Sequence, residues 1–324
     1  MMGRVGIVGA GLSGVVLARS LRAAGCQVEL LEKSRGPGGR LSTRRMQGDH
    51  FDHGAQFFTA RSREFREFIG PALSAGVLSE WRPRLVNLGG RRPFKRPWFE
   101  PHYVAVPGMN AWVKQLACGL PIVPEWTVSR LERRESLWWI CSSDEQWRGP
   151  YDLVCSTAPA EQSATLLPWL AEDLERVTML PCYAWMLGFE SRPSTISWQA
   201  AQVVGSPISW MCWGDSRPGR SSRPALLIHS SHDWAQSVVQ ESAEQVESLL
   251  SQALLELTGL DSGRAEQRSL HRWRYASTRR DLGRSYLLEP ALGLAACGDW
   301  CLQGRVEGAF LSASRLAEAI LLLP

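Results

Sequence analysis

At 324 residues, 44% of them hydrophobic, the chain is long enough for one large or two medium domains and apolar enough for a proper core, which excludes a disordered protein. Of its 36 basic residues 33 are arginine, the lysines being Lys33, Lys95 and Lys114; the net charge is only +4 and the basic runs are short, so nucleic acid is not an expected partner. Eight cysteines without a CxxC pair argue against a disulfide framework or a metal site, and no stretch reaches the roughly 18 to 20 apolar residues of a membrane span, so a soluble cytoplasmic protein is expected.

In chain order, the apolar run from Arg4 to Val8 predicts a strand ending at a glycine turn. Val16, Leu17 and Leu21 return at helical spacing and predict a helix over 13–24, stopped by Gly25. Val28, Leu30 and Leu31 predict a second buried strand that ends at Glu32, completing a strand–turn–helix–strand unit. Its turn carries Gly9, Gly11 and Gly14 in GxGxxG spacing. These glycines permit a tight turn, close approach to a diphosphate and close packing of helix on strand, with Leu12 and Ser13 at the positive helix N-terminus. Glu32, eighteen residues past Gly14, is placed to accept hydrogen bonds from a ribose 2′-hydroxyl, and an acid there disfavours a 2′-phosphate. The pocket therefore suits FAD or NAD.

A Gly/Pro loop follows over 34–39, then a predicted helix over 62–75, and strands and loops of a substrate region over 81–106. A short helix is expected over 108–118, with strands over 123–131, 137–141, 151–156, 183–189 and 226–229. Between 234 and 257, Val238, Val239, Val246, Leu249, Leu250, Leu254 and Leu257 fall mostly on one face and predict a single long helix. A strand over 293–297 and a helix over 306–322 close the chain.

Four motifs separate FAD from NAD. The run Gly36-Pro37-Gly38-Gly39-Arg40 with Leu41, Ser42 and Thr43 resembles the GGR-x-x-T element of the flavin-containing amine oxidase superfamily, where the arginine lies against the FAD phosphates. A planar fork of donors suits Arg40 to that role. Phe51-Asp52-His53-Gly54-Ala55-Gln56-Phe57-Phe58 is similar to the superfamily's stretch beside the isoalloxazine ring, so that Gln56, Phe57 and Thr59 are expected at the flavin or its substrate. Gly298-Asp299-Trp300 resembles the segment whose aspartate bonds a ribityl hydroxyl. Val306-Glu307-Gly308-Ala309 then opens a helix whose dipole faces the flavin. With GxGxxG, these implied contacts extend to Lys33 and Val128, so FAD is expected to be held non-covalently.

The resemblance implies an α/β fold: an FAD-binding Rossmann-like domain of the p-hydroxybenzoate-hydroxylase type (1–58, 107–177 and 290–324) with a discontinuous mixed α+β substrate domain (59–106 and 178–289). Within the superfamily, Gln56-Phe57-Phe58, Pro107-Gly108-Met109, the run from His271 to Ala276 and Gly298-Asp299 are most similar to a bacterial branch. Its members oxidise 2- and 6-dihydro isomers of NAD(P) to NAD(P)+, with hydride passing to flavin N5 and O2 returning the flavin as H2O2 forms. A small dihydronicotinamide dinucleotide is thus the expected partner, oligomeric state being left open. Candidate substrate residues are Gln56, Phe57, Thr59, Arg96, Trp185, Trp213, Thr278 and Arg279, with no side chain required as general base because a dihydropyridine releases hydride without prior deprotonation. His53, His229, His232 and His271 are expected to be hydrogen-bonding or structural, with His271 the candidate for lying near the pocket. An amine oxidase is the first alternative, weakened because the superfamily's substrate-domain lysine has no counterpart after Lys114. A flavin-binding redox sensor without turnover is the second.

Overall fold

The computed structural model describes residues 3–89, 94–95, 99–220 and 223–324, with 94 and 95 described by backbone alone. The opening unit forms as its sequence dictates. Strand Arg4–Val8 and strand Gln27–Leu31 pair in parallel across helix Leu12–Ala23, and Leu153–Ser156 and Leu294–Ala296 extend the same sheet. Ile122–Val123 and the antiparallel strand Leu287–Glu289 form its two edges, giving six strands. The central strands read as continuous apolar runs because both faces are covered, as parallel sheets require. On one face Val15, Leu17 and Leu21 of the first helix pack with Ala313 and Leu316 of the C-terminal helix Val306–Leu321. Helix Arg63–Ser74 joins this core through Phe65 and Phe68, whose rings meet Phe310 at 5.4 and 4.3 Å.

A second sheet holds seven strands, ordered Gln267–Arg280, Thr178–Gly188, Ala225–Ser230, Ile208–Trp213, Ala200–Val203, Leu85–Leu88 and Phe94–Lys95. It has its own core, in which Trp185, Leu187, Trp213 and Ile228 meet Val246, Leu250 and Leu254 of helix Ala243–Thr258. The expected helix over 234–257 is in fact two, His232–Ser237 and Ala243–Thr258. Ser242 caps the second one by accepting from Gln245 N while the Gln245 side chain accepts from Ser242 N. This reciprocal box starts a helix and cannot sit inside one.

The fourteen-residue strand Gln267–Arg280, which the periodicity did not predict, carries His271, Arg272 and Arg274 because it forms an edge of the sheet rather than its centre. Its register against Thr178–Gly188 slips: Leu180 opposes Ser277 while Cys182 opposes Trp273, so two additional residues bulge out between them. Among the described residues no helix is long and apolar enough to cross a membrane.

Candidate functional site

A cleft of about 1860 Å³ runs from the glycine turn along the carboxyl ends of the parallel strands to the bulged edge of the second sheet. At its start Gly9 takes φ +100, a conformation that favours glycine, and a Cβ on Gly14 would lie 2.1 Å from the Gly9 carbonyl oxygen. Gly11, Leu12 and Ser13 line the cleft, and the helix they open has no acid in its first turn, leaving its dipole for an anion. Glu32 is buried; its Oε2 accepts from Ala10 N and its Oε1 from Ser34 N, both at 2.8 Å, so the carboxylate is held at the lip with lone pairs to spare for ribose hydroxyls. Lys33 and Val128 line the same end.

Farther along, Gly39 packs against Gly11, and Ala55 N donates to the Arg40 carbonyl at 2.8 Å. Arg40 and Asp299, expected on different parts of the cofactor, form a two-pronged ion pair at 2.9 and 2.5 Å across the cleft. Val306 and Ala309 bring the C-terminal helix N-terminus to the same wall. Gln56 lines the cleft with its amide fully committed: it donates to Gly54 O at 3.0 Å and to Asp52 O, and accepts from Arg217 at 2.8 Å. Behind it Asp52 accepts from Thr43, Met109 N, Arg217 and Arg220. Burial alone would raise its carboxyl, but the two guanidiniums and these hydrogen bonds outweigh burial and hold it low.

The far end is a wall of imidazoles and one indole. His53 stacks on Trp273 at 5.2 Å and meets His271 edge-on at 5.0 Å, while the His53 carbonyl takes hydrogen bonds from Trp273 Nε1 at 2.8 Å and His229 Nε2 at 3.1 Å. All four line the cleft, with Cys182 and Tyr275. Burial first, and positive neighbours after it, push His53 down to about 3 and His271 to about 4; burial likewise takes His229 to about 4. The wall is uncharged at neutral pH. Expecting His271 near the pocket agrees with this geometry, and His53 and His229 are hydrogen-bonded as expected; that they meet the bulged strand here is a contact that nothing local in the sequence shows.

Several expected substrate residues lie elsewhere. Trp185 and Trp213 are 1% and 0% exposed in the second core, since strand alternation turns them to the helix-covered face, away from the cleft. Phe57 packs against His102, Trp210 and Trp81 and does not line the cleft, nor does the half-buried Thr59. Thr278 sits against Gly304, and Arg279 points to solvent in an ion pair with Asp233 at 2.7 Å. Gly14, expected at the cofactor, acts through the turn rather than by contact. Arg96 lies outside the described residues.

The parallel sheet, glycine turn, acid at the second strand's end and distal helix dipole define a dinucleotide-binding oxidoreductase with a large cleft along the strand ends. Residues 7–70 match an NAD(P)-binding Rossmann-like domain, and residues 98–321 match the flavin containing amine oxidoreductase model. The chain belongs to the flavin-containing amine oxidoreductase family. It is similar in fold to a protein assigned as a protoporphyrinogen oxidase from Exiguobacterium sp. 255-15, at 15% identity, TM-score 0.82 and 98% coverage of each chain. An engineered putrescine oxidase variant (13% identity, TM-score 0.76) and cyclohexylamine oxidase from Brevibacterium oxydans IH-35A (14%, 0.75) each align over 99% of both chains. The glycine cradle, the acid at the ribose position and the uncompensated helix N-terminus fit FAD.

Proposed function

We propose that this protein is a renalase-type enzyme: an FAD-dependent oxidase that returns 2- and 6-dihydro isomers of NAD(P) to NAD(P)+, using O2 as final acceptor with release of H2O2. The observation that carries this reading is the charge of the cleft. Among the described residues its lining holds nine lysines and arginines but only two acids, Glu32 and Asp299, and both acids are already engaged, by backbone N–H groups and by Arg40. An ammonium substrate would enter a field of its own sign, whereas an anionic dinucleotide is attracted.

When bound, FAD supplies the hydride acceptor. The chain's own part is to hold and orient: Glu32 at the ribose, the first helix N-terminus at the diphosphate, and Gln56, locked by Arg217, beside the ring. The neutral wall of His53, His271 and Trp273 receives a flat, apolar ring. Being uncharged, it does not repel the positive charge that the pyridine acquires as hydride leaves. We propose non-covalent attachment, since the one cysteine on the cleft, Cys182, is buried and its thiol is pushed up to about 12, leaving no thiolate to react. We further propose that the segments 1–58, 107–177 and 290–324 serve the cofactor and that 59–106 and 178–289 serve the substrate.

Amine oxidation is the second reading, favoured by the fold shared with putrescine and cyclohexylamine oxidases. The test is anaerobic rapid mixing of the FAD-loaded protein with borohydride-generated dihydro-NAD isomers, in parallel with benzylamine, putrescine and ordinary 4-dihydro-NADH. Bleaching of the flavin band by the isomers alone, with NAD+ formed, is expected. Bleaching by an amine instead would replace this reading with the second, and no bleaching by any of them would favour a sensor.

A further inference from the structure

Arg40 and the first helix N-terminus provide for the diphosphate of FAD, yet the cationic lining continues past them. Arg44 begins the short strand Arg44–Met46, which pairs with Asp49–Phe51, a strand that ends two residues before His53. Its guanidinium is half-buried and lines the cleft. Its Nη1 donates to Ser269 Oγ at 2.8 Å, and among the described residues no carboxylate is paired with it. The same charge acts through space on both His53 and His271, which places Arg44 near that wall.

A half-buried guanidinium that faces the cleft and is given one neutral hydroxyl keeps free donors of the kind that a bound anion would complete with charge-assisted hydrogen bonds. It stands beside the His53–His271–Trp273 wall, four residues beyond the arginine provided for FAD. A planar fork is suited to a phosphate in particular.

We propose that Arg44, with His271 beside it, is a second phosphate subsite that serves the substrate and not the cofactor, so that the enzyme selects phosphorylated pyridine nucleosides over the bare nucleoside. The inference deepens the dihydropyridine reading and rests on it. It also predicts which half of the substrate supplies affinity: the ring is held by a neutral wall, and the phosphate by Arg44.

The experiment uses ligands that need no turnover. FAD-loaded wild type and Arg44→Gln are titrated calorimetrically at low ionic strength with nicotinamide mononucleotide and nicotinamide riboside, which differ by one phosphate. Wild type is expected to bind the mononucleotide roughly tenfold more tightly, equivalent to about 1.4 kcal/mol. In Arg44→Gln that preference should fall to within about twofold, with FAD content unchanged, and Arg44→Lys should restore part of it. A preference that survives in Arg44→Gln, an absent preference in wild type, no binding of either ligand, or loss of FAD from the variant would each overturn the subsite. If the dihydro isomers fail to bleach the flavin while the Arg44-dependent preference holds, the reaction assignment falls and the subsite stands; the reverse pattern removes only the subsite.

Discussion

Single residues divide into those that touch the cofactor groove and those that shape it. Glu32 does both, because each carboxylate oxygen holds a backbone N–H before any ribose arrives. Glu32→Gln retains one acceptor oxygen and places a donor against the other N–H, so FAD affinity should drop by about tenfold or more in a fluorescence titration. Gly54 works by absence: a Cβ there would sit 2.0 Å from the Arg40 carbonyl oxygen, and backbone must move to admit it. Gly54→Ala should therefore purify with a clearly lowered ratio of flavin to protein absorbance. Arg279→Ala should change neither FAD nor substrate affinity by more than about twofold, since its partner Asp233 is 79% exposed and a surface pair contributes at most about 1 kcal/mol.

At the level of elements, the capping box and the bulged edge show two ways in which chain periodicity is interrupted. The first helix stops at Ser237 and Ser242 starts another, although the apolar stripe runs on past it. Ser242→Ala should lower stability by about 1 kcal/mol, read as a shifted urea midpoint, with FAD binding unaffected because the helix lies behind the second sheet. The bulge does the opposite, keeping one strand continuous while presenting consecutive residues His271 to Ser277 to the cleft. Regular alternation would have offered only every second side chain.

For the whole molecule, three imidazoles of the cleft wall tie stability to pH. Their folded pKa values, about 3 for His53 and about 4 for His229 and His271, lie below the ordinary 6.5, so the unfolded chain takes up protons that the folded one refuses. Their contribution is complete above pH 6.5 and is lost as pH falls toward 4. Discounting the partly exposed His271, the loss between pH 7.5 and 4.5 should be on the order of 4 kcal/mol. Thermal unfolding across this range should show it, and His53→Leu should flatten the slope; an unchanged slope would mean that the folded pKa of His53 is not lowered.

Residues adjacent in sequence made much of this protein readable before it folded. The glycine turn, Glu32, the GGR element and the Gly298-Asp299 close each perform their role through local backbone geometry, and each stands on the cleft or shapes it. Gln56 was legible for the same reason, but Phe57 beside it was not, because only packing decides which of two neighbouring rings faces a core. The tryptophans show this most clearly: composition supplied aromatic residues for a pocket, while strand alternation sent Trp185 and Trp213 into the second core and a register slip brought Trp273 to the cleft. Local chemistry thus shaped the glycine-turn end of the cleft, which is built from a turn, a helix end and a single acid. The wall of imidazoles at the far end of the cleft was decided by tertiary structure alone, since His53 and His271 become neighbours only when two segments more than two hundred residues apart close on one another.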